Sequence, residues 1–118
     1  KGCINDDGIV GPHIDFKGRL DQSTMSVDAG NHGDMTTGIM TGAGNLDPTM
    51  KGMAYGSFVH VLDYDATMPN TVGLYLSDSV TITSTSYSNG CNAGYTSTAR
   101  AIDQEIRTYP EILQFFSG

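Results

Sequence analysis

The chain is 118 residues long, enough for one domain and too short for two. Thirteen acidic residues against six basic ones leave a net charge of −7, which offers little to neutralise phosphates and disfavours nucleic acid and anionic membrane surfaces as partners. No apolar run approaches the roughly 18 residues of a membrane span, while 38% hydrophobic and 16% charged residues describe a chain that folds around a core.

In chain order, Gly2-Cys3-Ile4-Asn5 reads as a short apolar strand that runs into a turn at Asp6-Asp7-Gly8, placing acidic groups at its C-terminal end. Residues 10–31 are rich in Gly, Asp and Ser and read as irregular. From His32 the spacing of Met35, Ile39, Met40 and Ala43 predicts a short helix with an apolar, core-packed stripe, ended by Gly42 and Gly44. Ser57–Tyr64 and Val80–Ser86 are β-rich runs and predict two strands. Tyr95, Ala99, Ile102, Ile106 and Tyr109 mark one face of a second helix, stopped by Pro110, and Ile112–Phe116 reads as a last strand. This succession predicts an α/β fold with a parallel sheet, in which ligands bind beyond the carboxyl ends of the strands. Asp6, Asp7, His32 and the segment Ser86–Asn89 all fall near such ends or at a helix start.

Cys3 and Cys91 allow either one disulfide bridge or two buried thiols. Scarce Lys, absent Trp and plentiful Ser, Thr and Asn suit a secreted or cell-surface protein. His13 and His60 read as structural, and Asp21, Asp28 and Asp34 as a solvated acidic surface.

Two motifs carry the argument further. The first is Ile4-Asn5-Asp6-Asp7-Gly8-Ile9, followed by His13-Ile14-Asp15-Phe16 and Gly18-Arg19. The second is Asn31-His32-Gly33-Asp34-Met35-Thr36-Thr37-Gly38-Ile39-Met40, with Gly52-Met53-Ala54 about twenty residues on. In order and spacing these resemble the subtilisin-like serine proteases, the subtilases, with their D-[SD]-G-I, H-x-D-[LF] and H-G-x-x-x-x-G patterns. Ser86-Tyr87-Ser88-Asn89 is similar to the family's S-[LYF]-G-[GS] segment, with Ser88 in place of a glycine. Phe115-Phe116-Ser117-Gly118 resembles the start of its buried strand ending in S-A-G-N.

The resemblance implies a parallel sheet with helices on both faces, of which residues 1–118 are the N-terminal half. It implies Asp6 and His32 as two members of an Asp-His-Ser triad, because a serine hydroxyl needs a neutral imidazole to take its proton and the imidazole needs a carboxylate to fix its tautomer. Asp7 takes the motif's variable position and is not expected to be catalytic. Gly33 would let the chain turn into the helix, and Gly38 would let the helix approach the sheet closely. Ser86, Tyr87, Ser88 and Asn89 would pair with the backbone of a polypeptide substrate. The family's H-x-D aspartate and helix-following loop share a structural calcium, which implies Asp15, Asn45 and Asp47 as ligands.

The serine motif G-T-S-x-[AS]-x-P does not occur here, nor does the oxyanion-hole Asn. Alone, the chain is therefore expected to be catalytically silent. Three readings stay open: the N-terminal portion of a serine endopeptidase whose remaining C-terminal part lies elsewhere, a fragment retained as a non-catalytic binding or structural module, and a degenerate subtilase that serves assembly.

Overall fold

The computed structural model describes residues 1–26, 28–64, 70–87 and 94–117. The strands are β1 (Gly2–Asp6), β2 (Leu20–Asp21), β3 (Val59–Asp63), β4 (Ile82–Thr85) and β5 (Leu113–Phe116), and the helices are α1 (His32–Thr41), α2 (Thr71–Asp78) and α3 (Ser97–Thr108). The strands form one sheet in the order β2-β3-β1-β4-β5, with every neighbouring pair parallel. The expected α/β architecture is therefore present.

β1 is the axis of the sheet. It pairs with β3 on one side and β4 on the other, α1 packs on it, and all five of its residues are buried. Ile4, Val59 and Val61 form the apolar centre. Register fixes which side chains share a face, since partners on parallel strands point the same way. Cys3 pairs with His60 and with Thr83, and Thr83 pairs with Gln114. His60 lies towards Asp78 at the end of α2, while Gln114 donates to Thr71 of α2 and Glu105 of α3. That face therefore carries α2 and α3. Asp6 lies on the opposite face and meets His32 and Thr36 of α1. Helices cover both faces, as expected.

The β2–α1–β3 connection advances across the sheet in the same direction as β3–α2–β4 and β4–α3–β5, yet α1 lies on the other face. It thus has the opposite hand. Crossovers are right-handed in about 98% of cases, which makes this one the left-handed exception. Its first strand has two residues, so little accumulated strand twist opposes the inverted path. Arg19, just before β2, holds the end of α1 in place: its guanidinium donates to Thr41 Oγ1 at 2.6 Å, Thr41 O at 2.8 Å and Ser57 O at 3.0 Å, and also to Asp15 O.

Three sequence expectations need correction. The apolar stripe of α1 is core only in part: Met35 and Ile39 are exposed, Met40 is half-buried against Gly2 of β1, and the fully buried positions are Gly33, Thr37 and Thr41. Small side chains let the helix lie close to the sheet, and the Met/Ile side instead lines an open cleft of about 830 Å³ with Phe16, Met50 and Met53. Gly38 does not provide the close approach, because a Cβ there would meet only Phe16 at an ordinary 3.9 Å. Finally, α2 lies where no helix was expected, capped by Asn70 Oδ1 on the Gly73 N–H and closed by Ser79 in the left-handed region (φ 59°).

Cys3 is a free, buried thiol, and desolvation pushes its pKa up to about 12. Its suggested partner, Cys91, lies outside the described residues. No helix among the described residues is long and apolar enough to cross a membrane.

Candidate active site

The C-terminal end of β1 delivers two consecutive carboxylates to the start of α1. Strand alternation sends them to different tasks. Asp6 is fully buried, and its carboxylate faces the ring of His32, with Nδ1 at 2.8 Å from Oδ1 and 3.0 Å from Oδ2. The His32 side chain is 50% exposed, so the ring has one edge on a buried anion and another open to solvent.

A buried carboxylate is costly unless its oxygens are hydrogen-bonded. Asp6 Oδ1 accepts the Asp7 backbone N–H at 2.9 Å and faces the Tyr64 hydroxyl at 3.4 Å, and Oδ2 accepts the Thr36 hydroxyl at 2.9 Å. Thr36 is four residues after His32 and so lies on the same helix face. Tyr64 follows β3, whose Asp63 is the register partner of Asp6.

Asp7 does structural work. The residue before α1, Asn31, makes no side-chain cap, and Asp7 supplies the cap from another element. Its Oδ2 accepts the His32 N–H at 2.8 Å and its Oδ1 the Gly33 N–H at 2.6 Å. A carboxylate at a helix N-terminus is favoured both by the free N–H groups and by the dipole. This fit requires glycine at position 33, where a Cβ would lie 2.6 Å from Asp7 Oδ1 and 3.4 Å from Asp6 Cβ. Gly8, with φ 110°, then takes the chain out of the strand through a conformation that side chains rarely adopt.

The electrostatic result falls on His32. Its pKa is raised above the usual 6.5, first by the hydrogen bond to Asp6, then by the Asp6 charge, with Asp7 adding to both. The Tyr64 phenol is also raised, chiefly by desolvation and then by the same two carboxylates. An imidazole bound through Nδ1 to a fixed carboxylate keeps Nε2 as its basic nitrogen, the arrangement a general base needs.

The model of the Subtilase family matches residues 3–113, nearly the whole chain. The chain belongs to the subtilase family. Comparison with curated proteins and with solved structures gives no match. Its family is one of serine peptidases, whose substrates are polypeptides.

In this subtilase chain the other expected site residues fall as follows. Ser86 prolongs the β1–β4 ladder, its N–H donating to Asn5 O at 3.1 Å. Tyr87 accepts from Asn5 Nδ2 at 3.0 Å and meets the Tyr64 ring edge-on at 5.1 Å. Ser88 and Asn89 lie outside the described residues. Asp15 and Asn45 come together, with the Asn45 N–H donating to Asp15 Oδ1 at 2.7 Å and Asn45 Nδ2 to Ile14 O at 3.1 Å. Asp47 turns to Thr49 instead, accepting its N–H at 2.9 Å and hydroxyl at 2.7 Å. Among the described residues no group of three or more His, Cys, Asp or Glu is arranged to hold a metal.

His13 has the structural role expected of it: its ring Nδ1 accepts the Asp15 N–H and caps the short 3₁₀ turn Ile14–Phe16. His60 is buried between Asp21, at 3.4 Å, and Asp78, at 4.0 Å. Asp21 and Asp34 are thus more than a solvated surface, since Asp34 Oδ1 also accepts the Gly11 N–H at 2.6 Å. Sequence reading missed Asp7 as a cap and missed Thr36 and Tyr64 altogether. The four-residue step from His32 was a usable signal for Thr36, and the position of Tyr64 at the end of a strand beside β1 was one for Tyr64.

Proposed function

We propose that this chain carries the Asp and His of a subtilisin-type serine endopeptidase, with His32 as general base and Asp6 as the carboxylate that orients it. The observation that carries this reading is the Nδ1 contact of 2.8 Å to a fully buried carboxylate. Asp6 accepts a hydrogen bond from Nδ1–H, so the neutral ring presents Nε2 to the hydroxyl of a serine supplied by polypeptide outside these 118 residues. As the hydroxyl attacks the peptide carbonyl, its proton passes to Nε2, and Asp6 stabilises the imidazolium until that proton is given to the leaving amine. Ser86, Tyr87, Ser88 and Asn89 are assigned to pair with the substrate backbone just beyond β4, a reading supported by Ser86, whose N–H on Asn5 O carries the sheet ladder up to that point.

Calcium belongs to the same proposal as a structural ion. Asp15, Asn45 and Asp47 offer hard oxygen donors, which suit calcium, and the loop 42–48 has backbone carbonyls to add. Asp15 and Asn45 already meet, whereas Asp47 is engaged by Thr49. The acidic, lysine-poor composition supports a secreted or cell-surface setting, where calcium is plentiful.

The test is peptidase activity of the protein that includes the serine segment, with and without His32→Ala. Activity is expected there, lost in the variant, and absent from the 118-residue chain alone. The base must be neutral to act, so kcat/KM rises as pH climbs through the raised His32 pKa, placing the acid limb above about pH 6.5. The ion pair's contribution to stability has the opposite sense: full below the unfolded value near 6.5, it is lost as pH rises through the native one. Peptidase activity in the 118-residue chain alone, abolished by His32→Ala, would overturn the reading.

A further inference from the structure

We propose that Thr36 and Tyr64 are positioning residues that divide the charge of the Asp6 carboxylate among several donors, so that the carboxylate orients His32 without locking it as an imidazolium. This rests on the reading of Asp6 and His32 as the orienting carboxylate and the base.

The geometry separates holding the carboxylate from tuning it. Orientation is secured by the backbone, because the Asp7 N–H fixes Oδ1 at 2.9 Å and the adjoining Asp7 side chain is itself anchored on α1. The imidazole stands almost equally close to both oxygens, at 2.8 and 3.0 Å. With nothing else attached, a buried carboxylate in that geometry would concentrate its charge on the ring. Two hydroxyls intervene. Thr36 Oγ1 has one proton and two acceptors in range, Asp6 Oδ2 at 2.9 Å and Gly33 O at 3.2 Å, and the nearer, charged oxygen takes it. Tyr64 reaches Oδ1 from the opposite element at 3.4 Å, its ring braced edge-on against Tyr87.

These two hydroxyls differ in what carries them. Thr36 rides on the same helix as His32 and keeps its place whenever the helix does. Tyr64 follows β3 and touches Tyr87, so it links the Asp6–His32 pair to the segment assigned to substrate pairing. Among the described residues, the charged groups that act on the ring are Asp6 and Asp7 from β1, and Tyr64, beyond β3, reaches the same Asp6 carboxylate. Of these only Asp6 touches the ring, so the ring responds chiefly to how that carboxylate is shared.

The experiment is an NMR titration of the His32 imidazole in the intact chain and in Thr36→Val, Tyr64→Phe and Thr36→Ser. Removing a hydroxyl returns charge to the carboxylate and favours the imidazolium. The His32 midpoint is therefore expected to move up in Thr36→Val, to move up less in Tyr64→Phe, whose contact is longer, and to return to the native value in Thr36→Ser. In protein that includes the serine segment, the acid limb of kcat/KM moves up with it, with a loss of about tenfold near that limb, the size of one hydrogen bond to a charged group. Midpoints that stay or fall in both Thr36→Val and Tyr64→Phe overturn the proposal, as does a Thr36→Ser midpoint equal to that of Thr36→Val. The titration needs no catalysis, so upward shifts in a protein that never shows peptidase activity would keep this inference and remove the protease reading.

Discussion

Two acidic regions flank α1, and they use carboxylates in opposite ways. At its start, Asp6 and Asp7 are buried and, apart from the adjacent Asp7 N–H on Asp6 Oδ1, are bonded to donors 25 to 58 residues away in sequence: the His32, Gly33 and Thr36 groups of α1, and Tyr64 beyond β3. After its end, Asp47 is exposed and bonded to Thr49, two residues on, and only Asp15 of that region takes a distant donor, the N–H of Asn45 30 residues away. Local donors make a turn; they cost nothing to assemble and fix little beyond it. Distant donors exist only once the sheet and the helix have formed. A carboxylate that meets them as well as its neighbour's N–H reaches its working environment only in the complete fold, which is what a reacting group requires.

The largest break in this contrast comes from Asp6→Asn in the protein that includes the serine segment. The substitution keeps the shape but allows an amide N–H to face Nδ1, which favours the tautomer with its proton on Nε2 and removes the basic nitrogen. The expected loss is about 10⁴-fold in kcat, the size seen when a triad aspartate is replaced in this way. Asp47→Asn, measured beside it, should leave kcat within about twofold. Equal losses at the two sites would mean that Asp6 acts through stability alone.

Asp7 provides the next effect, on stability. In Asp7→Ala the first two N–H groups of α1 lose a buried, charged acceptor that no local residue replaces, since Asn31 does not cap. Two such hydrogen bonds and the helix dipole together set an expected loss of about 3 kcal/mol in urea unfolding. A loss below about 1 kcal/mol would show that Asn31 or water substitutes easily, and that the cap is local after all.

The same contrast explains what was legible in the sequence. The runs that became β1, β3, β4, β5, α1 and α3 were readable because each carries its own period or β-rich composition. The Asp6–His32 pairing was readable from its two motifs and their order. What escaped depends on tertiary contacts. α2 has only eight residues, with Gly73 in its interior and no clear apolar period; it is held by Thr71 against Glu105 and by Tyr75 against Tyr109. Helix α1 turns its small residues inward along most of its length, and of its apolar stripe only Met40 reaches β1, over Gly2, so the spacing of Met35 and Ile39 pointed to the wrong face. Asp7 looked dispensable because a cap supplied from another strand leaves no mark near the helix start. Tyr64 and Thr36 matter through a carboxylate that neither is near in sequence.

The smallest expected effect tests the second region on its own terms. Asp47 Oδ1 caps the 3₁₀ turn Pro48–Met50, and its exposed carboxylate is held below the usual range by the two Thr49 donors. Asp47→Ala should therefore lower the unfolding midpoint slightly in a chelator, as the loss of a cap does. The calcium proposal adds a second quantity to the same measurement. An ion at 100 times its dissociation constant stabilises by about 2.7 kcal/mol, and a variant lacking a ligand forfeits much of that. Thermal unfolding of wild type and Asp47→Ala, each with calcium and with chelator, gives four midpoints that separate the roles. The expected pattern is a calcium-dependent rise in the wild type that shrinks in the variant. An equal cost in both conditions would leave Asp47 as a cap and remove it from the ligand set. A wild-type midpoint indifferent to calcium, in protein shown to be metal-free, would reduce the whole loop to the turn that its hydrogen bonds already describe.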